Sequence, residues 1–369
     1  MQTEPIAAQS FSTKLVSLAL RGLMPLYDDQ QKLFAYRIQE GQRRPMPLAW
    51  SITYTAITLL GLIKARQHDR GEIPIDEAET LHSLVRQIDR VGRPGDLGLV
   101  LWAGAQFEGH HRELLPGAVK RQTQGATLAR MTTMELAWLL TGLCYTHQRS
   151  RSHGDIEKLA LTFYESLASN FNLETGLFCH TRAGTWPAGL RNQVGSFADQ
   201  IYAVYALSTF YEAFGQLEAL QWALQCARQL CALQGAQGQW WWHYHAGQGA
   251  VVSRYPVFAV HQDGMAPMAL FKLSALSGHD FHPAARQGLA WLLGANELGV
   301  EIIDWDRHVV WRDIERTRPI AYLRYISMAL AELGWTGATR LLDSLPLYKL
   351  NYEMRPYHLG WLLYAFADQ

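Results

Sequence analysis

Two kinds of helical pattern alternate along this chain, and their alternation limits the folds that it can adopt. One kind is apolar almost all round, as in 133–147 and 196–215, and the other is amphipathic with one charged side, as in 153–171. A helix that is apolar on every side has to be buried, and the amphipathic helices are suited to cover it. The predicted inner helices are 48–65, 96–105, 133–147, 196–215, 264–278, 319–334 and 353–367, and the predicted outer helices are 76–90, 153–171, 217–233 and 282–298.

Six or seven such helical hairpins, none of which can bury its apolar face alone, close best into a ring. We therefore predict an all-α fold, an (α/α)6–7 toroid whose inner helices form the lining and whose outer helices shield it. The spacing between pairs is irregular, which fits poorly with a uniform solenoid. The chain is predicted to be a single domain over 1–369, with 1–12 as a flexible tail.

The connections from an outer helix to the next inner helix are long and aromatic, whereas the return connections are short. Two of the long connections predict short β-hairpins, with turns at 247–249 and 306–308. The long loops and the N-termini of the inner helices should share one face of the ring. Loops on a rigid scaffold collect binding residues, and helix N-termini favour anions, so we predict the site on that face.

Composition excludes several classes of function. Lysine plus arginine equals aspartate plus glutamate at 33 each, which disfavours nucleic-acid binding. No apolar run is long enough to predict a transmembrane span, and the N-terminus lacks the features of a signal peptide. The four scattered cysteines are typical of reduced thiols. We expect a soluble, cytoplasmic protein, and the sequence does not predict its oligomeric state.

The alternating hairpins resemble the six-hairpin glycosidase and terpenoid-cyclase-type toroid superfamilies. The segment "QGAQGQW" (234–240) matches the QxxxGxW spacing of the QW repeat in squalene-hopene-type cyclases, with Leu230 four residues before Gln234. The DxDD protonating motif of those cyclases is missing, and "DWDR" (304–307) is the nearest string. The resemblance implies a toroid over most of the chain.

Two predicted inner helices begin with a carboxylate in a capping pattern. Thr132 and Glu135 fit a capping box, and Ser196 and Asp199 resemble the same arrangement. Each carboxylate is therefore predicted to cap its helix, and capping does not exclude a catalytic role. Because a capping position keeps a carboxylate ionised, a catalytic role would be that of a base or charge stabiliser.

The segment "AVHQDGMAPMALF" (259–271) places polar groups at the entrance of a buried helix. Pro267 is tolerated only in a first helical turn, which puts Asp263 at or just before the helix start and His261 in the preceding loop. Asp263 caps this helix, transfers a proton together with His261, or does both. Gln262 and Tyr255 lie nearby in the sequence.

The segment "NYEMRPYHLGW" (351–361) is the second dense polar cluster. Arg355 either pairs with Glu353 or binds a substrate carboxylate or phosphate, and His358 is predicted to point into the ring. His243 and His245 lack an identifiable third metal ligand, so we predict no metal and no cofactor. The candidate catalytic residues are Asp263, His261, Asp199, Glu135, Glu353 and His358, and the candidate substrate-binding residues are Arg355, Tyr357, Tyr352, Tyr255, Trp240, Trp242, Trp50, Tyr54, Gln262 and Gln200.

Three functions fit these residues. The first is a carbohydrate-active enzyme: a glycoside hydrolase would use Asp263 with Asp199 or Glu135, whereas a uronate epimerase or lyase would use His261, His358 or a tyrosine. The second is an isoprenoid cyclase-like enzyme, because aromatic faces stabilise carbocations. The third is a non-catalytic toroid that binds a glycan or a protein. The expected partner is a sugar or oligosaccharide.

Overall fold

A computed structural model describes residues 4–39, 50–109, 111–123, 126–149, 154–182, 191–317, 330 and 348–369 of the chain. Within these residues the protein is mostly helical, with small antiparallel sheets in the connections. The predicted all-α toroid is confirmed. The predicted inner helix over 319–334 lies outside the described residues, apart from residue 330.

Six helices of the described part form the lining of the ring. Each packs against the next, and the last returns to the first, so the lining closes on itself. All six N-termini lie on the same face, which we call the N-face, and the opposite face is the C-face. The inner helices are α2 (Ile52–Gln67), α4 (Pro94–Gly104), α7 (Thr133–Arg149), α9 (Phe197–Phe214), α11 (Ala266–Ser277) and α13 (Pro356–Phe366).

The outer helices are amphipathic and cover the lining from outside, as their charged faces predict. α1 packs on α13, and α10 packs on α9 and α11. They are α1 (Glu4–Leu23), α3 (Glu77–Arg86), α5 (His111–Gln122), α6 (Ala126–Arg130), α8 (Gly154–Ala168), α10 (Leu217–Ala232) and α12 (His282–Leu292), with short 3-10 turns at Met24–Leu26 and Ile88–Arg90.

Small residues allow the inner helices to approach closely. A Cβ added to Gly61 of α2 would lie 2.2 Å from the carbonyl oxygen of Gly360 in α13, and one added to Gly98 of α4 would meet the backbone of α7 at 2.4 Å. Such contacts are far shorter than van der Waals distance, so these positions require glycine. The ring therefore closes through backbone-to-backbone contact between α2 and α13.

Aromatic side chains fill the centre of the ring. Trp102 of α4 is 1% exposed, and its ring lies 5.1 to 5.6 Å from those of Tyr145, Tyr205, Tyr364 and Trp361. This arrangement, which we call the aromatic plug, is part of the continuous hydrophobic core. Tyr145 and Tyr364 lie towards the C-terminal ends of α7 and α13, so the plug lies nearer to the C-face.

Short antiparallel strands occupy the long connections on the N-face. Both predicted hairpins are confirmed, since β7 pairs with β8 around 246–249 and β10 pairs with β11 around 305–308. The sheets are β1–β2 (Tyr27–Asp28, Leu33–Phe34), β3–β14 (Ile38–Gln39, Glu353–Met354), β4–β5 (Phe171–Asn172, Leu177–Phe178), β6–β7–β8 (Val194–Ser196, His243–His245, Ala250–Ser253), β9–β12–β13 (Val257–Phe258, Asp313–Arg316, Tyr348–Asn351) and β10–β11 (Ile303–Asp304, Val309–Val310).

Two local expectations differ from the structure. Residues 4–12, for which the sequence predicts a flexible tail, form the start of α1, because this helix continues into the buried Leu15 and Leu18 and packs on α13. The sequence did not predict α5 and α6. Pro116 disrupts the helical pattern of the first, although the helix runs through it, and the second is only five residues long. In the described part of the chain, no helix combines the length and the apolar character needed to cross a membrane.

Candidate functional site

Polar side chains surround the N-face of the ring, and we call this surface the mouth. It is built from the first turns of the inner helices and from the strands that precede them. Short strands precede several of the inner helices and hold them by their N-termini, as the pairing of β6 with β7 does for α9. Side chains in these first turns therefore have fixed positions on a rigid scaffold.

Asp199 is the most strongly anchored carboxylate of the mouth. It forms a capping box with Ser196, accepts a hydrogen bond from the backbone N–H of Met134 at 3.1 Å, and lies 2.9 Å from Nδ1 of His180. The Arg191 guanidinium is 4.0 Å away. Burial alone would raise the pKa of Asp199, but His180, the Ser196 amide and Arg191 together hold it below its usual value. Asp199 is therefore an ionised carboxylate that both caps α9 and ties it to α7.

Glu135 and Asp96 are two further carboxylates of the mouth, at the starts of the neighbouring helices α7 and α4. Glu135 caps its own helix, because its Oε2 accepts from the backbone N–H and the hydroxyl of Thr132 at 3.0 and 2.8 Å. Asp96 lies in the first turn of α4, one residue after Gly95, whose Cα faces the Glu135 side chain. Burial raises the pKa of Asp96, with a further contribution from Glu135, although Arg93 opposes both. Asp96 thus prefers the protonated form more than Asp199 does.

Three arginines converge on Glu353, which is 3% exposed. Arg37 and Arg312 approach its two carboxylate oxygens at 3.0 and 3.1 Å, and Arg355 donates a short hydrogen bond through Nε. Burial would raise the pKa of Glu353, but the three guanidinium groups lower it below its usual value. Arg355 thus makes the pair with Glu353 that the sequence left as one of two alternatives. Among the described residues, three guanidinium groups stand against Glu353 and the neighbouring Asp313, which leaves this part of the mouth cationic.

A stack of tyrosines lies beside this arginine cluster. Tyr36, Tyr54 and Tyr357 are stacked in order, with ring centroids 5.1 and 4.5 Å apart, and Arg355 donates to the Tyr54 hydroxyl. The contact between Tyr54 of α2 and Tyr357 of α13 is where the ring closes. Stacked aromatic faces next to charged hydrogen-bonding groups are typical of sites that bind sugars or other small polar ligands.

Asp313 is a buried carboxylate on β12 at the edge of the arginine cluster. It is 2% exposed, lies 3.3 Å from Nε of Arg312 and accepts a hydrogen bond from Asn351. Burial raises its pKa to about 7, even though Arg312 favours the ionised form. A carboxyl group with such a pKa can donate or accept a proton near neutral pH.

Asp263 pairs with His358 instead of capping a helix. Both carboxylate oxygens lie within 2.9 Å of Nε2 of His358, and both side chains are buried. The predicted loop at His261 is wrong, because His261–Met265 forms a π-helical turn that continues into α11. This widened turn, a feature common at functional sites, directs Asp263 towards α13. Burial raises the pKa of Asp263, and His358 counteracts this.

Several predicted site residues are embedded in the core. His261 packs between the rings of Phe197 and Phe258, at 4.6 and 5.1 Å, and burial lowers its pKa to about 3. Trp240 is 1% exposed beside Phe197. The side chains of Gln262 and Gln200 hold backbone atoms in place. Gln262 accepts a hydrogen bond from the backbone N–H of Trp240 and donates one to the carbonyl of Phe258. Gln200 accepts from the backbone N–H of Phe178 and donates to its carbonyl.

The other aromatic candidates occupy different places. Trp242 is half-buried and packs edge-on against Phe258, close to the arginine cluster. Tyr255 donates to Glu297 at 2.8 Å and is buried, whereas Tyr352 is 45% exposed. Trp50 is half-buried in a bridge with Ala35. His243 and His245 are both buried, and in the described part of the chain no group of three or more acidic, histidine or cysteine side chains is placed to hold a metal.

The mouth also contains residues that sequence reasoning did not select: Asp96, His180, Arg37, Arg312 and Asp313. Arg37, His180, Arg312 and Asp313 lie in the long connections, which the sequence did identify as the functional face. Asp96 is the first polar residue of an otherwise apolar helix, a signal that could have been used. Their convergence depends on contacts distant in sequence, such as Arg37 with Glu353.

Comparison with solved structures shows that the chain shares its fold with several α/α toroid proteins. An unsaturated glucuronyl hydrolase specific for heparin superposes with a TM-score of 0.62 at 14% identity, covering 97% of this chain and 96% of that one. The unsaturated glucuronyl hydrolase of Bacillus sp. GL1 gives 0.62 at 12% identity, covering 97% and 95%. A sugar epimerase from a ruminal bacterium gives 0.61 at 11% identity, covering 96% and 98%. No protein-family model matches the sequence, and no curated protein matches it either.

Proposed function

We propose that this protein is a carbohydrate-active enzyme that acts on an anionic sugar at the mouth of the ring. Its carboxyl groups serve as the acid and the base of the reaction. The observation that carries the proposal is the contrast between Asp199 and Asp96. Asp199 has a lowered pKa and Asp96 a raised pKa, and both lie in the first turns of inner helices that flank α7. Pairs of carboxylates in contrasting environments divide the roles of base and acid.

Glycosidic bond hydrolysis is the reaction that this contrast supports best. One carboxylic acid protonates the leaving oxygen, and an ionised carboxylate acts as base or nucleophile. Asp96 is the proposed acid and Asp199 the proposed base, with Glu135 between them. In this proposal Asp199 keeps its capping role, because a cap and a general base both need the ionised form.

The arginine cluster supports an anionic substrate, and a uronate is the sugar class that fits. Arg37 is 46% exposed and Arg312 is 26% exposed at their side chains, so both can reach a ligand while Glu353 holds them. Guanidinium groups bind carboxylates in a bidentate way. The solved structures with the same fold include unsaturated glucuronyl hydrolases, whose names indicate glucuronyl sugars as substrates. This agrees with a uronate as the substrate class.

The test is turnover of uronate-containing oligosaccharides by the purified protein. Unsaturated and saturated uronyl disaccharides are incubated with wild type, Asp96→Asn and Asp199→Asn, and sugar release is followed by chromatography. Each variant should lose about 100-fold or more in kcat, the usual contribution of a general acid or base. The N-cap itself is Ser196, and asparagine at position 199 keeps an acceptor oxygen for the capping box, so Asp199→Asn should keep its helix. Asp155→Asn, on the exposed surface of α8, is the matched control.

Two outcomes would contradict the proposal. One is the absence of turnover on every sugar tried, with or without a uronate. The other is turnover that Asp96→Asn and Asp199→Asn leave at the level of Asp155→Asn. Circular dichroism of each variant separates a lost reaction from a lost fold.

A second candidate reaction is epimerisation or elimination, and the Asp263–His358 pair favours it. A carboxylate that holds one imidazole nitrogen orients the ring and supports proton transfer at the other nitrogen. In deuterated water an epimerase should introduce deuterium into the recovered sugar, and His358→Gln should abolish this exchange. Turnover that introduces neither deuterium at a carbon nor a new carbon–carbon double bond would exclude both reactions.

A further inference from the structure

A polar cavity lies at the C-face of the ring, beside the aromatic plug and away from the helix N-termini that form the mouth. Its volume is about 310 Å³. Its walls come from the C-terminal halves of α2, α7, α11 and α13 and from the middle of α9. The residues that define its character are Lys64, Lys272, Asp368, Tyr145, Tyr205 and Tyr364. None of them takes part in the chemistry proposed at the mouth.

The floor of this cavity is a cluster of three phenol hydroxyls. The hydroxyl of Tyr205 lies 2.8 Å from that of Tyr145 and 2.7 Å from that of Tyr364, and the last two are 3.5 Å apart. Each hydroxyl is both a donor and an acceptor, so the cluster can exchange hydrogen bonds with hydroxyl groups of a ligand. The rings themselves belong to the plug, which fixes their positions.

Two lysines stand over this floor with little exposure. Their side chains are 20% and 15% exposed, and their ammonium groups lie over the tyrosine rings, Lys64 at 4.8 Å from Tyr364 and Lys272 at 5.6 Å from Tyr205. Lys64 pairs with Asp368 at 2.8 Å and Lys272 with Glu212 at 2.6 Å, but Glu212 is 40% exposed and stands outside the cavity wall.

Each ammonium group has one carboxylate partner, Asp368 for Lys64 and Glu212 for Lys272, and Lys64 also donates to the Tyr364 carbonyl at 2.7 Å. Of the two carboxylates only Asp368 lines the cavity. Burial lowers the pKa of Lys64, and the positive charge of Lys272 contributes, although Asp368 opposes both. A ligand anion between the two ammonium groups would offset their mutual repulsion.

We propose that the C-face cavity binds a small hydroxylated carboxylate, such as a sugar acid. The carboxylate lies between Lys64 and Lys272, and the ligand hydroxyls bond the tyrosine cluster and Asp368. Met268 and Phe271 line the remaining wall and contact the carbon chain. The site is separate from the mouth, so it acts as a second binding site whatever reaction the mouth performs.

Calorimetric titration with D-gluconate tests the proposal. Wild type should bind it, whereas D-glucose and acetate, which lack the carboxylate or the hydroxyls, should bind at least about tenfold more weakly, the usual loss when a hydrogen bond to a charged group is removed. Lys272→Met should weaken gluconate binding by about tenfold or more. Tyr205→Phe, which removes one hydroxyl, should weaken it several-fold. Arg37→Met at the mouth should keep this Lys272-dependent binding, whatever share of gluconate the mouth itself takes up.

The opposite results are equally clear. No binding of gluconate by wild type, or equal binding by wild type and Lys272→Met, overturns the proposal. Binding that is lost in Arg37→Met and kept in Lys272→Met overturns it too, while agreeing with an anionic sugar at the mouth. If Lys272→Met does not fold, acetylation of wild type with acetic anhydride tests the site instead. Bound gluconate should protect Lys64 and Lys272 from acetylation, and labelling that gluconate leaves unchanged contradicts the proposal.

Discussion

Replacing Glu353 with glutamine removes one negative charge from among three guanidinium groups. The carboxylate is 4% exposed at its side chain and contacts Arg37, Arg312 and Arg355, which come from three separate parts of the chain. Glutamine keeps the volume and one acceptor oxygen but leaves the arginines without their shared counter-ion. The substitution therefore tests whether this cluster stabilises the mouth.

The expected loss follows from burial. Breaking a buried ion pair from one side costs about 3 to 5 kcal/mol. Water reaches the Arg37 and Arg312 side chains, which are 46% and 26% exposed, so the cost should fall to about 2 to 3 kcal/mol. With an unfolding entropy of about 2.1 cal/mol/K per residue, this corresponds to a decrease in Tm of about 3 to 4 °C for a chain of this length.

Differential scanning calorimetry across pH gives the measurement. The pKa of Glu353 is lowered in the folded protein, so its contribution is fully present above the unfolded value of about 4.3 and is lost as the pH falls through the folded value. The Tm difference between wild type and Glu353→Gln should therefore be constant from pH 6 to 8 and shrink below about pH 4. Glu315→Gln is the matched control, since Glu315 pairs with Lys349 in a partly exposed salt bridge and should change Tm by less than about 1 °C.

The reasoning is refuted if Glu353→Gln matches Glu315→Gln in Tm at neutral pH. It is also refuted if the Tm difference persists unchanged at acid pH, because the effect would then come from packing and not from charge.

Three further predictions concern buried groups. Burial raises the pKa of Asp313 to about 7, so wild type loses stability as the pH rises from about 4 to above 7 and this carboxyl group ionises. In melting experiments across that interval, Asp313→Asn should therefore become increasingly more stable than wild type. A stability difference that does not change with pH would argue against the burial effect. Gly61→Ala should destabilise by more than about 2 kcal/mol in urea unfolding because its Cβ meets the Gly360 backbone, while Gly92→Ala, with nothing within 4 Å, should have little effect; equal midpoints for the two would be contrary evidence. Trp102→Ala should cost about 3 to 5 kcal/mol by opening the aromatic plug, and a loss below about 1 kcal/mol would mean that the plug adds little to stability.

The ring could be predicted from the sequence because it depends on local periodicity. A helix such as α9, apolar on all sides, cannot face water, and α10 beside it has one charged side. Alternation of the two leaves few arrangements that bury every apolar face. The same applies to the two hairpins, whose turn residues and alternating strands lie within a few residues of each other.

The capping carboxylates could also be predicted, since Ser196 and Asp199 are three residues apart and form their contacts within one turn. The pKa values of the carboxylates at the mouth could not be predicted from the sequence. The pKa of Asp199 depends on His180 and Arg191, and that of Asp96 on Glu135, which come from other elements. Charge interactions act through space, and spacing in the sequence does not specify such distances.

The segment 259–271 shows the boundary between the two kinds of information. Its sequence alone placed Pro267 in the first turn of a buried inner helix, because proline lacks the N–H that later turns need. Only the tertiary structure decided that Asp263 turns away from the helix end and pairs with His358, a residue 95 positions later. Backbone chemistry is local and can be read along the chain, whereas the partner of a buried charge is whichever group the closure of the ring brings within reach.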